Sequence, residues 1–440
     1  MMFISISNNN YESIGVFMAN NIINENNLFQ TKLNAKEKSI GKLTGADGLR
    51  CLACLAVITH HLSQKLRVSG EPQDLHYFAL MGNIGVSIFF ILSGFLLSYP
   101  FWKSYLKNGD FPDIKEYILR RGSRIIPCFY IALIVSTVLI IALKIPTEHL
   151  WTRFFAALTF TSGFHYITLF PSDIDGALWS ISFEVFCYIL MPIFMYGLFK
   201  LFGRKRSFFK SFLYWIGVMV LILIVNQFVH IFFTPDDVNR GWQYGIIGGA
   251  KEWIPNYNPI GFFGHFSFGI IAAGITTVLH LNSEKVLKYK RGNVFDIITL
   301  IAFTLSVVFI WFMKKLPEFS FSFQNQPYFF PFYQLMIATT LALLPHTNFV
   351  GKIFDNAFCR YTAKVSFGLY LWHQIIIFIV TTACVFDFGN FGTWLLVSIG
   401  IVIAAYIVAT LSYKFIEKPI LDWSHKKKFQ SVSQNNNINS

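Results

Sequence analysis

Along this chain, continuous apolar runs of about twenty residues recur between short polar loops, without the every-other-residue alternation that membrane β-strands show over ~10-residue segments. A helix rises about 1.5 Å per residue, so about twenty residues cross a ~30 Å hydrocarbon core. The pattern predicts ten crossing helices, over 46–66, 79–99, 125–144, 179–200, 211–232, 259–280, 294–313, 328–345, 365–385 and 393–416. The stretch from Trp151 to Phe170 is also apolar, but it contains Arg153, Ser162, Gly163 and His165 and is expected to dip into the interface without crossing. Residues 1–42 are Asn-rich and polar with a basic end, too poor in apolar residues to bury a core, and are expected to be a disordered tail. The membrane domain is expected over 43–420, followed by a polar tail over 421–440.

Composition agrees with this all-α polytopic membrane class. Of 440 residues, 54% are hydrophobic and only 13% charged, whereas globular domains carry about 25% charge. A soluble enzyme, a coiled coil and a secreted disulfide scaffold are thereby excluded. The six cysteines (Cys51, Cys54, Cys128, Cys187, Cys359 and Cys384) lie in or beside apolar runs without metal-site spacing and read as small core residues. No internal repeat of the kind that builds inverted-repeat transporters is visible.

A net charge of +13 raises nucleic acid as a partner, but Lys and Arg cluster in the loops between apolar runs, the pattern that orients membrane proteins. With Trp151–Phe170 not crossing, 28 of the 36 Lys and Arg fall on one side. Positive charge stays on the cytoplasmic face, so both termini are expected there, with no role for nucleic acid.

Four groups break the apolar pattern. Arg50 and His61 are eleven residues apart, about three turns plus 20° and about 16 Å along a helix axis, so they share a face while His60 points about 100° away. A charge and an imidazole on one membrane helix mark a pathway or a site, although His61 also fits an ordinary interfacial histidine. Arg120-Arg121-Gly-Ser-Arg124 places three guanidiniums at the cytoplasmic mouth of the third span, with Arg121 and Arg124 on one face. Such forks suit phosphate or pyrophosphate, and positive-inside anchoring is the alternative. Glu184, with Tyr188 one turn on, sits inside an apolar run and either pairs with a cation or handles a proton. His373 follows Tyr370-Leu-Trp372 in another apolar run, where a satisfied packing histidine is the simpler reading.

Taken in order, these pieces resemble the membrane acyltransferase-3 family of bacterial O-acyltransferases. They are Asp47-Gly-Leu-Arg50 with His61; Gly85 through Ser93-Gly94-Phe95; Arg120-Arg121-Gly-Ser-Arg124-Ile-Ile-Pro127; Trp179-Ser180 through Glu184 to Tyr188; Tyr370-Leu-Trp372-His373; and Phe415-Ile-Glu417-Lys418-Pro419. Two positions depart from the family pattern: Ser87, where Asp is common, and Val185, where a second Glu is common. The resemblance implies a multi-pass protein of the bacterial inner membrane, in a form without a fused esterase-like domain. It further implies acetyl-CoA as the acyl donor, no metal, and a hydroxyl acceptor on an envelope glycan such as O-antigen lipopolysaccharide, peptidoglycan or exopolysaccharide. On that basis Arg50, Arg121 and Arg124 are expected to hold CoA. His61 is expected to act as general base or acyl acceptor, Glu184 to orient or protonate it, and Ser180, Tyr188 and His373 to contact substrate. A proton-coupled transporter is the rival class, since intramembrane His, Glu and Arg also build proton relays.

Overall fold

A computed structural model describes residues 43–65, 73–203, 205–232, 257–316, 328–383 and 391–424. Residues 1–42 and 425–440, most of the long loop before Asn258 and Cys384 lie outside the described residues. All regular secondary structure among the described residues is helical.

The helices are α1 (Ala46–Lys65), α2 (Gln73–Leu80), α3 (Ile84–Leu106), α4 (Ile114–Ala142), α5 (Leu150–Leu158), α6 (Tyr166–Leu169), α7 (Trp179–Phe202), α8 (Phe208–Phe232), α9 (Pro259–Leu281), α10 (Ser283–Arg291), α11 (Val294–Met313), α12 (Phe332–Leu343), α13 (Val350–Phe354), α14 (Ala357–Ala383) and α15 (Phe391–Ser412). Eight described helical segments are long and apolar enough to cross a membrane: the one reaching from Asp74 through α3, and those containing α4, α7, α8, α9, α11, α14 and α15. The two expected spans that fall short do so for visible reasons. α1 carries Asp47, Arg50, His60, His61 and Lys65. α12 has only 12 residues before a 3₁₀ turn at Leu344–His346. Trp151–Phe170 is broken into α5, a short 3₁₀ turn and α6. At nine residues α5 is the longest of these, roughly 14 Å, half of a crossing.

Local chemistry sets several boundaries. Asp113 caps α4, its carboxylate accepting from the Lys115 amide at 2.8 Å. Asn258 accepts from the Gly261 amide at 2.7 Å, with Pro259 starting α9 at the position where a missing N–H costs nothing. The centre of the bundle is α3 against α9, with α1 packed on both α3 and α14. In the α3 and α9 segments 72% of the apolar window is buried, against 28% for α8, whose leucines and phenylalanines face outward on most sides.

Without an apolar solvent contrast, membrane helices associate through close packing, and small residues permit it. A Cβ on Gly94 of α3 would lie 2.0 Å from the Phe266 carbonyl oxygen, and one on Gly269 of α9 would lie 1.9 Å from that of Ile91. The two backbones therefore touch, which accounts for Gly94 in the Ser93-Gly94-Phe95 motif.

Candidate active site

Two cavities sit on opposite parts of α1. The first, about 70 Å³, is lined by Arg50 of α1, Ser93 of α3, Arg121 and Arg124 of α4, Ser180, Glu184 and Tyr188 of α7 and Tyr370 of α14, among apolar neighbours. The second, about 340 Å³, is lined by His60, His61 and Gln64 of α1, by Phe170, Asp173 and Gly176 of the segment before α7, and by Tyr257, Tyr328, Tyr370 and Gln374. Val86 and Tyr370 line both and form the partition between them.

The arginine cavity gathers most of the expected polar set. Arg50 lies within electrostatic reach of both Arg121 and Arg124. Three guanidiniums therefore share a small space with the single carboxylate of Glu184 in its lining, while Asp47 stands near Arg50 and Glu417 near Arg124. Like charges held this close favour an anion between them. Glu184 accepts from the Ser93 hydroxyl at 3.0 Å and from the Tyr188 hydroxyl one turn along α7. Its expected neighbour was His61, but the two line different cavities, and Glu184 stands with the cations.

Tyr370 is held from two directions. Its hydroxyl donates to the Ala177 carbonyl at 3.0 Å, so the 2.7 Å contact with Ser180 is donated by the serine. The ring meets Phe89 edge-on, with centroids 5.8 Å apart.

In the histidine cavity, His61 Nδ1 is 2.9 Å from Nε2 of His373 on α14, and His373 Nδ1 is 3.0 Å from the Leu369 carbonyl oxygen. His373 is wholly buried and lines neither cavity, so it stands behind His61. His60 is buried, its Nδ1 2.6 Å from the Leu80 carbonyl oxygen, and its other edge borders the cavity. The far wall is fixed by a bidentate pair: Arg153 donates to both oxygens of Asp173, at 2.7 and 3.0 Å, and to the Phe170 carbonyl at 2.8 Å. The apolar stretch broken into short helices thus braces this wall through Arg153 and Phe170.

Sequence reasoning missed Asp173, Tyr257, Tyr328 and Gln374, which arrive from separate elements. It also missed Asp175, whose carboxyl is fully buried beside the partition with no hydrogen-bond partner in bonding geometry for either oxygen among the described residues. The nearby Ala177 amide donates to Gln374 at 3.1 Å, and burial pushes the Asp175 acid well above the usual carboxylate range. Ser87, the departure from the family pattern, lies in a buried network: it is 2.7 Å from His265 Nδ1, and Gln334 donates both to it at 2.9 Å and to the Tyr328 carbonyl at 2.8 Å. Among the described residues, no cluster of three or more His, Cys, Asp or Glu side chains is placed to hold a metal ion.

The profile of the acyltransferase domain of this family matches residues 43–413, nearly the whole bundle. The chain belongs to the acyltransferase-3 family. It is 27% identical over 396 residues to the putative peptidoglycan O-acetyltransferase YrhL of Bacillus subtilis, covering 86% of this chain and 55% of that protein. It is 26% identical over 389 residues to the peptidoglycan O-acetyltransferase OatA of Listeria monocytogenes, covering 85% and 55%. With a putative O-acetyltransferase of Staphylococcus aureus the identity is 26% over 405 residues, covering 89% and 59%. The chain therefore spans a little over half the length of these relatives. No solved structure matches it.

Proposed function

We propose that this protein is an integral membrane O-acetyltransferase that carries an acetyl group from acetyl-CoA, held on the cytoplasmic side, to a hydroxyl of an envelope glycan on the other. The observation that carries this reading is the pair of cavities meeting at Val86 and Tyr370, one with three guanidiniums and the other with His61. In it Arg50, Arg121 and Arg124 hold the phosphates of CoA through charge-assisted forks. The flexible arm then presents the thioester at the partition, about 16 Å deeper by the spacing of Arg50 and His61 on α1.

The acceptor hydroxyl enters the histidine cavity, where the aromatic faces of Trp179, Tyr257 and Tyr328 and the amides of Gln64 and Gln374 suit a sugar ring with neutral polar groups. His61 activates that hydroxyl as general base or takes the acetyl group first; both routes use a ring-nitrogen lone pair. Ser180 and Tyr188 act on the donor side, Ser180 by bracing Tyr370 and Tyr188 by engaging Glu184. The names of the relatives favour a cell-wall glycan acceptor such as peptidoglycan over lipopolysaccharide. The abundance of Lys and Arg in one set of loops supports a cytoplasmic arginine cavity and cytoplasmic termini.

The test is O-acetyl content of envelope glycans, by mass spectrometry, in a deletion strain complemented with wild type or His61→Ala. Wild type should restore the modification and His61→Ala, inserted at equal level, should not. Unchanged O-acetylation in the deletion strain, or full restoration by His61→Ala, would overturn the reading.

A further inference from the structure

The hydrogen-bond chain behind His61 has a direction that can be worked out from its far end. The Leu369 carbonyl can only accept, so the proton at the 3.0 Å contact sits on His373 Nδ1. His373 is wholly buried in an apolar segment, where a second ring proton would place an imidazolium that contacts no carboxylate among the described residues. In neutral His373 the remaining nitrogen, Nε2, carries the lone pair. The 2.9 Å contact is therefore donated by His61 Nδ1–H, which leaves the lone pair of neutral His61 on Nε2.

We propose that His373 is a positioning residue whose Nε2 selects the Nδ1–H tautomer of His61 and aims His61 Nε2 at the reacting groups. This rests on the reading of His61 as the catalytic group. In the general-base route His61 Nε2 takes the acceptor hydroxyl proton as the new O–C bond forms. The C–S bond then breaks, and the departing CoA sulfur takes that proton from Nε2. Throughout, the Nδ1 proton stays on His61, donated to His373. A neutral imidazole here does the orienting that a carboxylate does in Ser-His-Asp sites, without bringing a charge into the bilayer.

What His61 requires of residue 373 is therefore an acceptor, not an imidazole as such. His373→Gln presents an amide oxygen to the same proton, and His373→Leu presents none. In purified protein, His373→Leu should lower kcat by roughly 10²–10⁴, the range for loss of a general base or of its tautomer, with KM for acetyl-CoA unchanged because the residue is remote from the arginines. His373→Gln should recover much of that loss. Equal losses in the two variants, or a kcat for His373→Leu near wild type, would overturn the proposal.

A wild-type measurement covers the case in which His373→Leu does not fold. Ring-nitrogen NMR of histidine-labelled protein, with the His61 signals identified by their absence in His61→Asn, should show His61 protonated on Nδ1. Protonation on Nε2 would overturn the proposal. If His61→Ala keeps full activity, the reading of His61 fails. If His61→Ala is inactive but His373→Leu is not, only the role of His373 fails.

Discussion

Tyr370 offers a direct probe of the partition, because its hydroxyl and its ring do separable things. Tyr370→Phe removes the 3.0 Å bond to the Ala177 carbonyl and the 2.7 Å bond from Ser180 while leaving the ring between the cavities. Hydrogen bonds between membrane helices average about 0.6 kcal/mol and reach about 1.7, so losing two should cost about 1–3 kcal/mol. Tyr370→Ala removes the same bonds and the ring, which joins the two cavities. The assay pairs the thermal unfolding midpoint in detergent with acetyl-CoA hydrolysis in the absence of acceptor. Tyr370→Phe should melt earlier yet hydrolyse acetyl-CoA at the wild-type rate, since water from the histidine cavity is still kept from the thioester. Tyr370→Ala should hydrolyse it several-fold faster. A folded Tyr370→Ala protein that binds acetyl-CoA and hydrolyses it no faster than wild type would refute the partition.

Two further outcomes follow from the charge distribution. Arg124→Lys keeps the positive charge but loses the planar fork, so the protein should insert normally and bind CoA roughly 10–100-fold more weakly, the cost of one charge-assisted bond at about 1.5–3 kcal/mol; equal affinity in equilibrium binding would return Arg124 to an anchoring role. With the segment 151–170 not crossing, a cysteine at exposed Lys205 should be shielded from an impermeant thiol reagent added to intact cells, while one at exposed Glu148 should react; labelling at Lys205 would place that loop outside and invert the distal half.

The parts of this site that were legible in the sequence are those governed by one helix. A separation of eleven positions gives Arg50 and His61 a common face whatever surrounds them, and Arg50 lines the first cavity and His61 the second. Arg121 and Arg124 are an i, i+3 pair and fall together for the same reason. The failure of Trp151–Phe170 to form a long helix followed from its charge and glycine content. What could not be read is contact between helices far apart in sequence. His61 and His373 are separated by 312 positions, and a lone histidine in an apolar run gives no sign of which neighbour it will meet. The burial of Glu184 in an apolar run calls for a cation or a proton without naming which neighbour supplies it, and its link to His61 came only with the family resemblance. Its partners are Ser93 and Tyr188, in the cavity with the arginines.

The two sides of the partition are built with different stiffness, and this bears on what each can recognise. On the arginine side, Arg50, Ser93, Arg121, Arg124, Glu184 and Tyr188 all project from long helices. α3 is pinned against α9 at backbone contact through Gly94 and Gly269, and against α1 through Gly85, where a Cβ would lie 2.4 Å from the Ala53 carbonyl oxygen. Helices locked at that distance hold side chains to tight tolerances, as the proposed phosphate-bearing donor would require. On the histidine side, Phe170, Ser172, Asp173 and Ile174 come from irregular chain between α6 and α7, steadied by the Arg153–Asp173 fork. Irregular segments tolerate substitution better than packed helices, since fewer backbone contacts depend on them. Under the proposed function, donor geometry would be carried by α1, α3, α4 and α7, and acceptor fit would be set in the wall that Arg153 holds in place.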